Sequence, residues 1–233
     1  MDSIAQFFDR FSPCYDTSAF QQSRGTQFLS ELEVAFVMRH CPAAKGERVL
    51  DMGIGTGRLA SLCTERGAVV DGIDVSEGML ARARQRLGEG AAQLQVADIG
   101  QALPYPDETF DYVLCIRVLK YVPQWEVTLG EAARVLKRGG IFILELGNAR
   151  SVARLGLGRA NYSLFHVGDV ERALGRDLTI VDRGAGTRLP FPLYRRADRG
   201  LPLGVLVSLE RLMSWALPAG TFARNVLIAA RKE

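Results

Sequence analysis

The chain has 233 residues, 48% of them apolar and 24% charged, and a formal net charge of +3. That suits one α/β domain with a small addition, long enough to bury a core and unlike a disordered chain. Lys and Arg are scattered rather than gathered in a tract, so nothing calls for a nucleic-acid partner.

The four cysteines, Cys14, Cys41, Cys63 and Cys115, form no CxxC pair and have only two histidines for company. Reduced thiols in a cytoplasmic protein are expected, with no metal site. Met1 to Arg10 lacks the basic start and apolar run of a signal peptide. The apolar stretches are too short or too interrupted for a transmembrane helix.

Residues 1–45 read as a helical lead-in. From Thr26 to Arg39, Phe28, Leu29, Leu32, Phe36 and Val37 share roughly one helical face. Residues 46–233 read as the main domain. Short apolar runs predict strands at Arg48–Asp51, Val69–Asp74, Leu94–Ala97, Tyr112–Cys115, Ile141–Leu146, Leu178–Val181 and Phe222–Arg231. Amphipathic stretches predict helices at Leu59–Arg66, Glu77–Leu87, Trp125–Lys137 and Gly168–Leu174. This alternation predicts a parallel sheet covered on both faces. Residues 184–220, rich in Pro, Arg, Leu and Gly, look like a cap-like insertion with one helix, Leu203–Leu217.

The first strand runs into Asp51-Met52-Gly53-Ile54-Gly55-Thr56-Gly57, and a helix follows. Glycines here permit a tight turn and let a ligand lie against bare backbone, with helix N–H groups pointing at it. A P-loop would need Gly-Lys-Ser/Thr, and a dinucleotide fingerprint would need glycine at position 58; Arg58 excludes both. Asp74 ends the second strand 21 residues after Gly53, where a carboxylate can accept ribose hydroxyls. Asp98 ends the third strand, Pro104 to Asp111 leads into the fourth, and Leu136-Lys137-Arg138-Gly139-Gly140 is expected to close a helix on glycine.

This ordered set resembles the class I S-adenosylmethionine-dependent methyltransferases, in particular the small-molecule enzymes related to ubiquinone and menaquinone methyltransferases. The resemblance implies a Rossmann-like, seven-stranded, mostly parallel sheet with helices on both faces. It implies S-adenosyl-L-methionine as cofactor and S-adenosyl-L-homocysteine as product. It places Asp51, Gly53, Gly55 and Gly57 at the methionine end, Asp74 at the ribose, and Val75, Met79, Asp98 and Ile99 around the adenine. It gives Cys115 and Ile116 backbone contacts to the methionine group. Phe8 to Asp16 looks like a segment that folds over the cofactor, with Tyr15 as a lid residue. Many relatives have a histidine in the stretch matched here by Val118 to Val122, where this chain has Tyr121.

Transfer from an activated methyl asks mainly for alignment, and for a base only if the acceptor must lose a proton. His166, Tyr121 and Tyr162 are the candidates for such work. Glu145, Asn148 and Arg150 follow near the expected pocket. The expected acceptor is a small molecule, hydrophobic or anionic, bound by a monomer or homodimer. Two alternatives stand beside this reading: methylation of RNA or protein, and a non-catalytic cofactor-binding subunit.

Overall fold

A computed structural model describes residues 3–88, 91–151, 163–197, 202–216 and 222–233. The lead-in folds as α1 (Ile4–Phe11), a 3-10 turn (Ser12–Cys14), α2 (Tyr15–Phe20) and α3 (Arg24–His40). The main run follows as β1 (Arg48–Met52), α4 (Arg58–Thr64), β2 (Val69–Asp74), α5 (Glu77–Leu87), β3 (Ala91–Val96), β4 (Phe110–Cys115) and α6 (Trp125–Val135). It ends with β5 (Leu136–Gly147), α7 (Val167–Leu174), β6 (Leu178–Ala185), α8 (Phe191–Arg195), α9 (Leu203–Ala216) and β7 (Asn225–Lys232).

The seven strands form one sheet in the order β3-β2-β1-β4-β5-β7-β6. The pairs from β3 to β5 are parallel, and β7 runs antiparallel to both β5 and β6. Successive side chains alternate faces, so each strand feeds two cores. Leu50, Met52 and Phe142 pack under α6 and α7. Val49, Leu114 and Ile143 pack under α3, α4 and α5. Chain order reverses direction at β1, so the carboxyl ends of β1 and β4 open a crevice at the switch point.

Several boundaries differ from the sequence expectation, and two of them follow from strand pairing. The helix before β5 stops at Val135 rather than closing on glycine, because Leu136 already pairs with Phe110 of β4. The register then shifts between Phe110 and Tyr112, and Gly139 takes a φ of +78° that a β-carbon would disfavour. The third strand begins at Ala91, earlier than Leu94, where Ala91 pairs with Val70.

The segment after β6 is fastened to the lead-in and to itself. Gly25 lies so close to α8 that a β-carbon there would sit 2.1 Å from the Tyr194 carbonyl oxygen. Ser23 Oγ donates to that same carbonyl at 2.9 Å. Glu210 on α9 is buried and accepts from the Arg188 N–H (2.9 Å), the Leu189 N–H (2.8 Å) and the Tyr194 hydroxyl (2.8 Å). Replacing Glu210 removes the acceptor of two buried donors and one part-buried donor. Glu210→Ala is expected to cost about 2–4 kcal/mol and Tyr194→Phe about 1 kcal/mol, read from urea unfolding midpoints.

Candidate functional site

The turn after β1 is held against β2 before any ligand is considered. The N–H groups of Gly53 and Ile54 donate to the Ile73 carbonyl at 2.8 and 3.0 Å. Gly53, Gly55 and Gly57 have φ values of +74°, +54° and +75°. Gly53 has no room for a side chain, since a β-carbon would meet Val118 at 2.6 Å. Gly55 is the opposite case: a β-carbon there meets nothing within 4 Å and would project into open space. The loop thus presents bare backbone to the crevice.

Asp74 closes the loop from the other side. Its Oδ2 accepts from the Gly55 N–H and its Oδ1 from the Ser76 N–H, both at 2.9 Å. Each oxygen keeps a further lone pair for a ligand hydroxyl. Burial raises the Asp74 carboxyl above the ordinary carboxylate range, while the N–H groups of Ser76, Gly55 and Val75 oppose the rise. Ser76 also caps α5, its Oγ accepting from the Met79 N–H at 3.1 Å.

These residues wall a cavity of about 660 Å³. Gly53, Gly55, Asp74, Val75, Met79, Asp98, Ile99 and Ile116 line it, and so do Tyr15 and Tyr121. Asp98 is exposed, with its Oδ1 taken by the Gly100 N–H at 2.8 Å. Asp51 lies just behind the loop, in a small recess with Tyr15, Phe20 and Arg58. Burial pushes its carboxyl up to about 7, with Arg58 pulling against that rise. Gly57 serves as the left-handed cap of α4. Cys115 lines no described cavity; it packs in the core.

The amino-terminal helices form the cavity's outer wall. Phe7, Phe8, Phe11 and Tyr15 line it, and Phe8 meets Tyr121 edge-on with ring centroids 5.2 Å apart. Two carboxylates latch these helices down. Asp9 Oδ1 accepts from Ser76 Oγ (2.6 Å) and the Gly78 N–H (2.9 Å) at the start of α5. Asp16 accepts from Thr56 Oγ1 at 2.7 Å and pairs with Arg86.

Beneath α2 lies a charge cluster that the sequence reading missed. Glu33 on α3, 5% exposed, pairs with Arg58 through one oxygen and with Arg117 Nε through the other at 2.6 Å. Both guanidinium groups cover the Phe20 ring, at 4.3 and 4.5 Å from its centroid. Burial alone would raise the Glu33 carboxyl, but Arg117 and Arg58 hold it below the ordinary range. Arg117 takes a φ of +65°, an unusual conformation for a residue with a side chain. The one sequence signal was an acid inside an otherwise apolar helical face.

The structure does not bring His166 to this site. His166 is exposed and lines a separate depression with Asn148, Arg150 and Glu171. It stands at the N-cap of α7, directly before Val167. Tyr162 lies outside the described residues. His40 Nε2 lies 2.8 Å from Asp182 Oδ2, away from this site. Among the described residues, no group of three or more His, Cys, Asp or Glu could hold a metal ion, and no helix is long and apolar enough to cross a membrane.

Residues 50–144, from β1 into β5, match the family described as Methyltransferase domain. Over 105 residues the chain is 41% identical to a phosphatidylethanolamine N-methyltransferase of Cereibacter sphaeroides, covering 43% of this chain and 51% of that one. Over 115 residues it is 36% identical to a ubiquinone biosynthesis O-methyltransferase of Azoarcus sp. (strain BH72), covering 48% of each. The chain therefore spans about half the length of these curated relatives. The crystal structure of the cyclase SpnF superposes with a TM-score of 0.72 at 21% identity, over 98% of this chain and 95% of that one. Residues 50–144 thus carry a match to the Methyltransferase domain, and the glycine loop, the acid ending β2 and the 3-2-1-4-5-7-6 sheet around them resemble the class I S-adenosylmethionine-dependent methyltransferases.

Proposed function

We propose that the protein transfers a methyl group from S-adenosyl-L-methionine to a small-molecule acceptor. The observation that carries this is the joint placement of Gly55 and Asp74 on one wall of a cavity closed by α1 and α2. Because a cyclase shares the fold, the reading rests on the site and not on the architecture.

The residues present fit this cofactor. Asp74 would hold the ribose through the lone pairs its N–H partners leave open. Val75, Met79 and Ile99 would pack on the adenine, with Asp98 at its edge. The Gly53–Gly57 loop, Asp51 and Ile116 would hold the methionine end. When bound, the cofactor supplies a methyl group already activated on sulfur. The chain's own task is then alignment and exclusion of water. Phe7, Phe8, Phe11 and Tyr15 exclude water as a lid, which makes residues 1–45 a working part of the site.

Four sets of measurements test this reading. Calorimetry should show S-adenosyl-L-homocysteine binding, and Asp74→Ala should weaken it about tenfold to a hundredfold through loss of charge-assisted hydrogen bonds. NAD should not bind.

Asp51 adds a pH signature. With its carboxyl near 7, much of it is protonated at neutral pH. A ligand ammonium beside it favours the ionised form, so binding should release protons, and affinity should rise as pH climbs through 7. Titrations in buffers of different ionisation enthalpy read this directly. Asp51→Asn should abolish the release.

The lid can be tested through its latches. Ser76 Oγ and the Gly78 N–H hold the Asp9 carboxyl below the ordinary range. The latch therefore persists at and above that range and is lost only as pH falls through the lowered value. Asp9→Ala with Asp16→Ala should speed hydrogen exchange across residues 4–20 at neutral pH and leave the sheet's protection intact.

The acceptor's size class separates a small molecule from RNA or protein. Labelled methyl incorporation into total RNA or protein, with none into small molecules, would overturn the proposal.

A further inference from the structure

A second cavity, of about 270 Å³, adjoins the first. The two share Ser18, Ala19, Arg117 and Lys120 in their walls. The volume is roughly that of nine water molecules in the liquid, enough for a small organic molecule and too small for the cofactor. Its wall combines three chemistries. Lys120, Arg195 and Arg224 bring positive charge, together with the Arg117 that pairs with Glu33. Leu29, Leu32 and Leu227 supply apolar surface. Glu145, at the carboxyl end of β5, supplies an acceptor.

Glu145 is the group that points to a ligand. It is 5% exposed, and its Oε1 accepts from Asn225 Nδ2. Its Oε2 is buried and accepts from no N–H or O–H donor among the described residues; Arg117 Nε lies 3.9 Å away. A buried carboxylate oxygen left in that state costs free energy until a donor arrives. Burial pushes the Glu145 carboxyl up to about 7, the neighbouring Glu33 carboxylate adds to the rise by its charge and as a hydrogen-bond partner of the protonated form, and Arg117 and Lys120 oppose it.

We propose that this second chamber binds the methyl acceptor, a small molecule joining a carboxylate or phosphate to a hydroxyl on an apolar body. The anionic group meets Lys120, Arg195 and Arg224, the body lies on the leucines, and the hydroxyl donates to Glu145 Oε2. In the transfer, the hydroxyl O–H bond breaks and its proton goes to Glu145. The oxygen forms a bond to the methyl carbon as the carbon–sulfur bond breaks, and that electron pair stays on sulfur. This inference rests on the first cavity holding the cofactor, as proposed above.

The test uses the full chain saturated with S-adenosyl-L-homocysteine and calorimetric titration with five matched probes. 4-Hydroxyphenylacetate and 4-hydroxyphenyl phosphate carry both groups, 4-hydroxyphenylacetamide lacks the charge, and phenylacetate and phenyl phosphate lack the hydroxyl. At least one of the two hydroxylated anions should bind roughly tenfold tighter than the amide, the scale of one charge-assisted hydrogen bond. Which of the two binds tells carboxylate from phosphate. Arg195→Gln with Arg224→Gln should erase the preference over the amide and leave S-adenosyl-L-homocysteine affinity unchanged. Glu145→Gln should shrink the preference of 4-hydroxyphenylacetate over phenylacetate, or of the phosphate over phenyl phosphate where that anion binds. Equal binding of amide and anions, no binding of any probe to the loaded protein, or an unchanged hydroxyl preference in Glu145→Gln overturns the proposal for this chamber. Failure of S-adenosyl-L-homocysteine itself to bind overturns instead the reading on which it rests.

Discussion

The pairing of Glu33 with two arginines is the interaction on which the shape of the site depends. A carboxylate this deeply buried must be compensated, because an unpaired charge in such a place costs several kcal/mol. Compensation comes from Arg58, the first residue of α4, and Arg117, just past β4. Three elements distant in sequence are thereby set against each other. The same guanidinium groups then offer their faces to Phe20, which seats the end of α2. Once Phe20 is seated, the aromatic residues earlier in the lead-in lie across the glycine loop. A buried ion pair is poor evidence for added stability, yet it is well suited to fixing one arrangement among several.

Much of the fold was legible because its periodicities are strong. Val69–Asp74 and Glu77–Leu87 appear with the boundaries their patterns predict, and the remaining predicted strands and helices differ mainly at their ends. The clearest of these differences has a physical cause. At Leu136 to Gly140 a helix-like sequence meets a strand, and pairing with β4 decides the outcome over local preference. The cofactor side was legible for a related reason. Gly53, Gly55 and Asp74 are neighbours through two short connections, so their spacing along the chain encodes their spacing in space.

The acceptor side was not legible, and the reason is distance along the chain. Glu33, Arg117, Glu145 and Asn225 meet only after α3, the β4 end, β5 and β7 have all been placed. No local pattern announces that meeting. Glu145 reads as the last polar residue of a strand, and Arg117 as one arginine among many. His166 shows the converse error: its chemistry drew attention, while the helix that follows it sets it in a different depression.

The two buried carboxylates raised to about 7 have a shared logic. Asp51 sits behind the glycine loop and Glu145 at the end of β5. Below about 7 each keeps its proton, since burial penalises the charge and each faces another carboxylate. Ionising them therefore works against folding as pH rises through the interval between the ordinary carboxylate value and 7. A fold that only sought stability would gain by placing apolar groups at both positions. Retaining carboxylates there makes sense where partners that arrive later repay the cost. A cation beside Asp51 and a proton donor beside Glu145 would do so, each at its own end of the joined cavities. The charge that burdens the site is then what selects the two molecules proposed for it, and the arrangement of the acids carries more functional information than the glycine loop that first marks the site.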